Sequence, residues 1–319
     1  MTTTPPLAQR PIRFSVGPPG LPVDARELAA FARRIEELGY SAIGIGDHPA
    51  TERAGPLVAM CAAASATTTL RIGAHVFGND YRHPAVLAQE IASLDQFSNG
   101  RVEVGIGAGW MSADYERLGI AYDRPGVRIE RLAEAVRILR ACLSGERIDH
   151  DGTYYRLAGH TGRPRPVQLP HPPIMVAGGG PKVLALAADE ADIVGVNIDL
   201  GAGRIDPSAG ASGTADATAD KVALIRDRAA ARGANPELHI VIHRVVITDD
   251  REAALADVAG GFGVSVEEAA RSPHLLVGSL DEIEAQVLAL RADYGITYLG
   301  VDGGIVDALA PVVARVCSG

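Results

Sequence analysis

Residues 70–86, "LRIGAHVFGNDYRHPAV", read as a strand, a polar elbow and the start of a helix. Leu70 to Phe77 is a largely apolar run of strand length, with Ile72, Val76 and Phe77 as its large members. Pro84 suits a first helical position, because it lacks the N–H that a helix start leaves unbonded. Leu87, Ile91 and Leu94 then recur on one helical face. Between strand and helix stand Gly78, Asn79, Asp80, Tyr81, Arg82 and His83: an amide, a carboxylate, a phenol, a guanidinium and an imidazole. A plain connection needs only a few turn residues. Either this elbow is a solvated loop or it belongs to a site.

The same strand-then-helix unit recurs on both sides of it. "IRFSVG" (12–17) is followed by Asp24 and Glu27 in capping-box spacing, by Leu28, Phe31, Ile35 and Leu38 at helical intervals, and by a stop at Gly39. "SAIGIGDH" (41–48) precedes a helix over 56–68, and "RVEVGIGAGW" (101–110) a long helix carrying Ile129, Leu132, Val136, Leu139 and Leu143. "PIMVAGGG" (173–180) and "ADIVGVNI" (191–198) flank a helix that opens at Pro181. "LHIVIHRVVIT" (238–248) and "ITYLGVD" (296–302) are the seventh and eighth strands. Apolar strands alternating with helices make parallel βαβ units. Eight of them predict an α/β fold, a (β/α)8 TIM barrel with insertions, ahead of a doubly wound sheet. The whole chain, 1–319, reads as one such domain. Residues 1–11 are polar and Pro-rich and read as a loose tail. Residues 145–172 are an insertion with a hairpin and a Pro-rich run, and the Gly/Ala/Ser-rich stretch 200–220 is a candidate mobile loop on the active face.

Bulk composition narrows the function. The chain has 319 residues, 47% of them hydrophobic, and a formal net charge of −9, which argues against nucleic-acid partners. Lys182 and Lys221 are the only lysines, so no Lys-rich patch faces a membrane or a phosphate backbone. Cys61, Cys142 and Cys317 are far apart and lack CxxC spacing, which suits free thiols and a cytoplasmic location. The nine histidines show no HxH or HExxH spacing, so no metal site is expected. No GxSxG elbow points to a serine hydrolase.

In a TIM barrel the site lies at the C-terminal ends of the strands. Those ends carry Asp47-His48, Gly78-Asn79-Asp80, Gly107-Ala108-Gly109-Trp110, Gly178-Gly179-Gly180, Asn197 and Asp302. "AGGGPK" (177–182) fits an anion site, since glycines let backbone N–H groups approach closely and the helix from Pro181 adds its dipole. A turn with glycines for tight packing alone is the competing reading. "GIGAGW" lacks the third glycine and the acidic partner of a dinucleotide fingerprint. His48 is open to acid–base, hydrogen-bonding and purely structural roles, and His75, in mid-strand, to a core or wall role.

With those residues assembled, the chain resembles the luciferase-like monooxygenase superfamily, and more closely its deazaflavin (coenzyme F420)-dependent oxidoreductases. The resemblance covers nearly the whole chain and rests on "GYSAIGIGDH", "LRIGAHVFGNDYRHPAVLAQEIASLDQFSNGRVEVGIGAGW", "HDGTYYRL" and "PPIMVAGGGPKVLALAADEADIVG". It implies a non-prolyl cis peptide at His75-Val76 against the cofactor ring, with Asn79 facing the ring's polar edge and Arg82 and His83 structural. It places Asp47 and His48 near the ring, and Gly107, Ala108 and Gly109 along the cofactor side chain. Ala177, Gly178, Gly179, Gly180 and Pro181 wrap the phosphate, and Asn197 belongs to the same cofactor wall. Where sugar-phosphate dehydrogenases of the family have a glutamate, this chain has Trp110, which suggests an apolar substrate beside the indole. His48 and Trp110 are the catalytic candidates. The implied activity is hydride transfer between coenzyme F420 and a small organic molecule. The alternatives are an FMN-dependent monooxygenase and a non-catalytic cofactor-binding protein. Lys182, Arg163 and Arg165 are candidates to meet an acidic cofactor tail, and relatives often form homodimers through barrel helices.

Overall fold

The computed structural model describes residues 10–19, 24–204 and 207–317. Apolar strands alternate with helices as the periodicity predicts. The first half runs β1 (Arg13–Gly17), α1 (Ala25–Glu37), β2 (Ala42–Ile45), α2 (Pro56–Ala66), β3 (Arg71–Ala74), β4 (Phe77–Gly78), α3 (Pro84–Phe97), β5 (Val102–Gly107), α4 (Ser112–Leu118) and α5 (Pro125–Ser144). An antiparallel hairpin, β6 (Arg147–Asp151) and β7 (Arg156–Thr161), follows and matches the expected insertion. Then come β8 (Ile174–Gly178), α6 (Pro181–Glu190), β9 (Ile193–Val196), α7 (Pro207–Ala211), α8 (Ala215–Ala231) and β10 (Glu237–Val241). The chain ends with β11 (Arg244–Ile247), α9 (Arg251–Phe262), α10 (Val266–Arg271), β12 (Leu275–Gly278), α11 (Leu280–Tyr294), β13 (Ile296–Asp302) and α12 (Val306–Cys317).

Around the ring the strand order is β3, β2, β1, β13, β10, β9, β8, β5, all parallel, and β3 pairs with β5 to close it. The third position is shared. β3 stops at Ala74, a cis peptide joins His75 to Val76 as the resemblance implied, and β4 resumes pairing with β5 through Phe77 and Gly78. This is a closed eight-stranded TIM barrel. Local chemistry agrees with it: Asp24 accepts the N–H groups of Arg26 and Glu27 at the start of α1, and His83 caps α3 through Nδ1.

Two sequence readings are corrected. Residues 238–248 are not one strand. β10 leaves the barrel after Val241, and β11 pairs in parallel with β12, a strand the sequence reading missed, in a separate two-stranded sheet. The stretch 200–220 contains α7 and the start of α8 rather than a plain loop, and residues 205–206 lie outside the described residues. The same holds for residues 1–9 of the expected tail.

Helices bury the outer faces of the strands in one large apolar core, while Ala42, Met175, Ile193 and Tyr298 form a separate core inside the barrel. Below that inner core lies a charged plug. Arg13 reaches Glu103 and Glu237 at 2.6 Å each and lies over the Tyr298 ring, and Arg71 closes on Glu103 from the other side. Burial alone would raise the Glu103 carboxyl, yet the guanidinium groups of Arg13 and Arg71 hold it at about 2. Above the plug, His75 and His239 stack edge to face at 5.0 Å between ring centroids. Glycines make that possible: a Cβ on Gly44 would sit 2.4 Å from His75 Nδ1, and one on Gly300 2.9 Å from His239 Nε2.

Burial holds the His75 and His243 imidazoles at about 4 and His274 at about 3, and pushes His239 well below the usual histidine range. All four are neutral in the fold and take up protons at 6.5 once unfolded, so their stabilising effect is complete above that pH and is lost as pH falls toward 4. Glu103 acts lower, its contribution being lost between 4.5 and about 2. The melting temperature should therefore be flat above neutrality and drop by roughly 10 °C between pH 7 and pH 5.5. Calorimetry across that range checks it; a flat profile down to pH 5 would contradict the neutral assignment.

Candidate active site

A cavity of about 500 Å³ opens at the C-terminal ends of the strands. Its floor is His75, Val76 and His239, and one wall is Gly107 to Met111. Val76 can press inward because β5 carries glycine opposite it: a Cβ on Gly107 would lie 2.9 Å from Val76 Cγ2. Asp47, His48, Ala177, Gly178, Gly179, Gly180, Pro181 and Asn197 also line the cavity, so nearly all of the predicted rim residues converge.

Asn79 is the exception. It is 3% exposed, borders no part of this cavity, and its Nδ2 donates to the Tyr155 hydroxyl at 3.2 Å. The short helical turn of residues 79–81 directs its side chain away from the barrel mouth. The rest of the elbow is scaffolding. Asp47 accepts the Gly78 N–H and pairs with Arg82, which ties the end of β2 to the elbow. Asp80 pairs with Arg131 and accepts the Tyr115 hydroxyl. Arg165 lies at the opposite end of the barrel, where its carbonyl accepts from Gln96 near the end of α3 and its guanidinium reaches Gly145 at the end of α5. It cannot meet a ligand tail leaving this cavity.

His48 is the cavity histidine paired with a carboxylate. Its Nδ1 lies 2.8 Å from Asp114 Oδ2, and Asp114, 1% exposed, also accepts the Ala50 N–H. A carboxylate only accepts, so Nδ1 carries the hydrogen and Nε2 is left without a partner among the described residues. Trp110 meets the imidazole edge to face at 5.7 Å. Asp114 was missed in the sequence; its signal is its place four residues beyond Trp110, where α4 carries it back under β2.

The glycine turn is open to an anion. Gly180 caps α6 without any side-chain hydrogen bond, so the first N–H groups of that helix have no side-chain cap among the described residues, and Lys182 lines the cavity beside them. Gly179 is required by crowding, since a Cβ there would meet the Ile198 carbonyl at 2.1 Å. Arg128, also missed, is 3% exposed, lines the cavity and lies 4.1 Å over the Tyr122 ring. Its guanidinium donates to the Gly109 carbonyl and pairs with no carboxylate among the described residues, and Nε has no partner. Asn197 is fixed at its carbonyl by Lys221, whose ammonium also holds the Ser212 carbonyl and is lowered to about 8 by burial.

The structure thus combines a closed parallel barrel, a bulged third strand, and a glycine turn and a histidine–carboxylate pair at one rim. The profile of the luciferase-like monooxygenase family matches residues 11–291, and the chain belongs to that family. An F420-dependent glucose-6-phosphate dehydrogenase of Kineococcus radiotolerans is 35% identical over 173 residues, 52% of this chain and 50% of that protein. An FMNH(2)-dependent dimethylsulfone monooxygenase of Pseudomonas putida is 27% identical over 216 residues, 66% of this chain and 56% of that protein. The chain spans about half the length of the curated relatives it matches. The coenzyme F420-dependent tetrahydromethanopterin reductase of Methanopyrus kandleri superposes with a TM-score of 0.77 at 17% identity, over 96% of this chain and 98% of that one, and shares the fold. Among the described residues no helix is long and apolar enough to cross a membrane.

Whether the glycine turn takes an anion can be tested at Gly180. Its backbone, φ −87° and ψ 156°, is that of an ordinary N-cap, and a Cβ there meets nothing closer than 3.5 Å. Gly180→Asp should leave the melting temperature nearly unchanged, because aspartate is a good N-cap but its carboxylate would stand beside that of Asp199, while the added negative charge would repel a phosphate at the turn. FMN binding should weaken at least tenfold while riboflavin binding changes little, as isothermal titration would show.

Proposed function

We propose that the chain is a coenzyme F420-dependent oxidoreductase that moves a hydride between the deazaflavin and a small, largely apolar substrate. The observation that carries this reading is the His48–Asp114 pair, its free Nε2 set beside Trp110 in an apolar cavity. The residues present suit a phosphate-bearing ring cofactor: among the described residues Arg128 Nε is buried without a partner, and Lys182 lines the cavity beside the glycine turn. Lys182, Arg128 and the Gly178–Gly180 turn would hold the phosphate, and Val76 with Gly107 would bear on the ring. A bound deazaflavin supplies or takes up the hydride.

The chain's own groups do the remainder. His48 Nε2 gives or takes the proton that accompanies the hydride, and Asp114 keeps the imidazole in the tautomer that allows it. Trp110, Met111, Ile129 and Leu200 give the substrate side an apolar wall that excludes water. The relatives named above support deazaflavin as well as flavin chemistry, and the absence of a carboxylate at Trp110 favours a substrate other than a sugar phosphate. A homodimer seated on α2 and α3, where Val58, Val86 and Phe97 stand exposed, belongs to the same reading.

Fluorescence titration should show tighter binding of coenzyme F420 than of FMN. Micromolar FMN binding with no detectable F420 binding would overturn the reading in favour of a flavin monooxygenase. With an active substrate, His48→Ala should lower turnover ~10²–10⁴-fold while cofactor affinity stays nearly constant. Asp114→Asn should lower turnover in the same direction by a smaller factor, and an unchanged turnover in both variants would remove His48 from the chemistry.

A further inference from the structure

Asn197 stands at the end of β9, four places around the eight-stranded ring from β2 and His48, so the two face each other across the cavity mouth. Its backbone is fully engaged: N–H donates to the Gly178 carbonyl at 3.1 Å, and its own carbonyl accepts from Lys221 at 2.8 Å. The side-chain amide is engaged at one atom only. Oδ1 accepts the neighbouring Ile198 N–H at 2.8 Å and His243 Nε2 at 3.1 Å. Nδ2 has no protein partner among the described residues. An amide whose oxygen is held on both sides by donors can present only its N–H₂ to a ligand.

His243 comes from outside the barrel. The chain turns out of β10 at Ile242, whose N–H still bonds to Gly300, and His243 N–H then bonds to the His274 carbonyl beside β12. The ring is held between Phe262 and His274, at 5.9 and 5.5 Å between centroids. It borders no part of the cavity. Because Asn197 Oδ1 can only accept, the ring's hydrogen is on Nε2, the tautomer that locks the amide.

We infer that His243 is a positioning residue: from behind the cavity wall it fixes the Asn197 amide so that Nδ2 donates to an acceptor oxygen or nitrogen of the bound cofactor. Without His243 only the Ile198 N–H holds Oδ1, so the amide is less firmly kept in the orientation that presents Nδ2, and turning it over would set an acceptor against an acceptor. The inference rests on the cavity being a cofactor site, and it holds whether the cofactor is F420 or FMN.

The test is a double-mutant cycle read as the dissociation constants of F420 and of FMN by fluorescence quenching, with melting temperatures alongside. Asn197→Ala and His243→Leu should each weaken the cofactor that the wild type binds by about fivefold, the loss of one hydrogen bond. His243→Gln, which keeps a donor at the Nε2 position, should restore wild-type affinity. In the Asn197→Ala background, His243→Leu should have no further effect on affinity, whatever it does to the melting temperature. An equal weakening by His243→Leu with and without Asn197 would overturn the inference, as would wild-type affinity in His243→Leu. A wild type that binds only FMN would instead overturn the F420 reading and leave this cycle to be run on FMN.

Discussion

An eight-stranded barrel has room inside for side chains and little more. How that room is divided governs everything above it. Here the lower part is filled by the Arg13–Glu103–Glu237 plug, with Arg71 and Tyr298 closing its sides. Each charge has a partner, which is the condition under which a barrel can keep ions out of water. Above the plug, the strands turn glycines inward at 44, 105 and 300. The space those side chains vacate is occupied by His75, Val76 and His239, and they form the floor on which any ligand must rest.

That floor makes the barrel mouth asymmetric. On the side of β2 to β5, the Asp47–Arg82 pair and Asp80–Arg131 pair knit the elbow to the barrel, so that wall is rigid and its charges are consumed. On the side of β8 to β10, the N–H groups at the start of α6 and the Nδ2 of Asn197 have no partner among the described residues. His48 stands between a buried carboxylate and an indole. The glycine turn with Asn197 and the His48–Asp114 pair thus face each other over an apolar floor.

The buried imidazoles carry a second consequence. His75, His239, His243 and His274 are all held neutral by burial, although two floor the cavity and two stand behind its wall. Of the three imidazoles that line the cavity, His48 is the one that has a carboxylate partner among the described residues.

Strand and helix identities were legible from periodicity because each βα unit is locally complete: a run of apolar residues, a cap, a turn. Eight such units are enough to specify a barrel, and its rim is then fixed by which residues end the strands, so His48, Trp110, Gly178 to Gly180 and Asn197 could be read in advance. Asn79 could not, since one turn of helix decides which way a side chain leaves an elbow. Nor could Asp114, Arg128 and His243. Each lies on a helix or a loop beyond its strand, and its importance comes from a partner 66, 19 or 46 residues away. The run 238–248 shows the limit most plainly. Its alternation of apolar residues suits a strand throughout, but the barrel has space for only one strand between β9 and β13, so packing cuts the run at Ile242 and sends β11 to pair with β12 outside. Local pattern determines which segments extend; the closure of the ring determines how much of each the barrel can use.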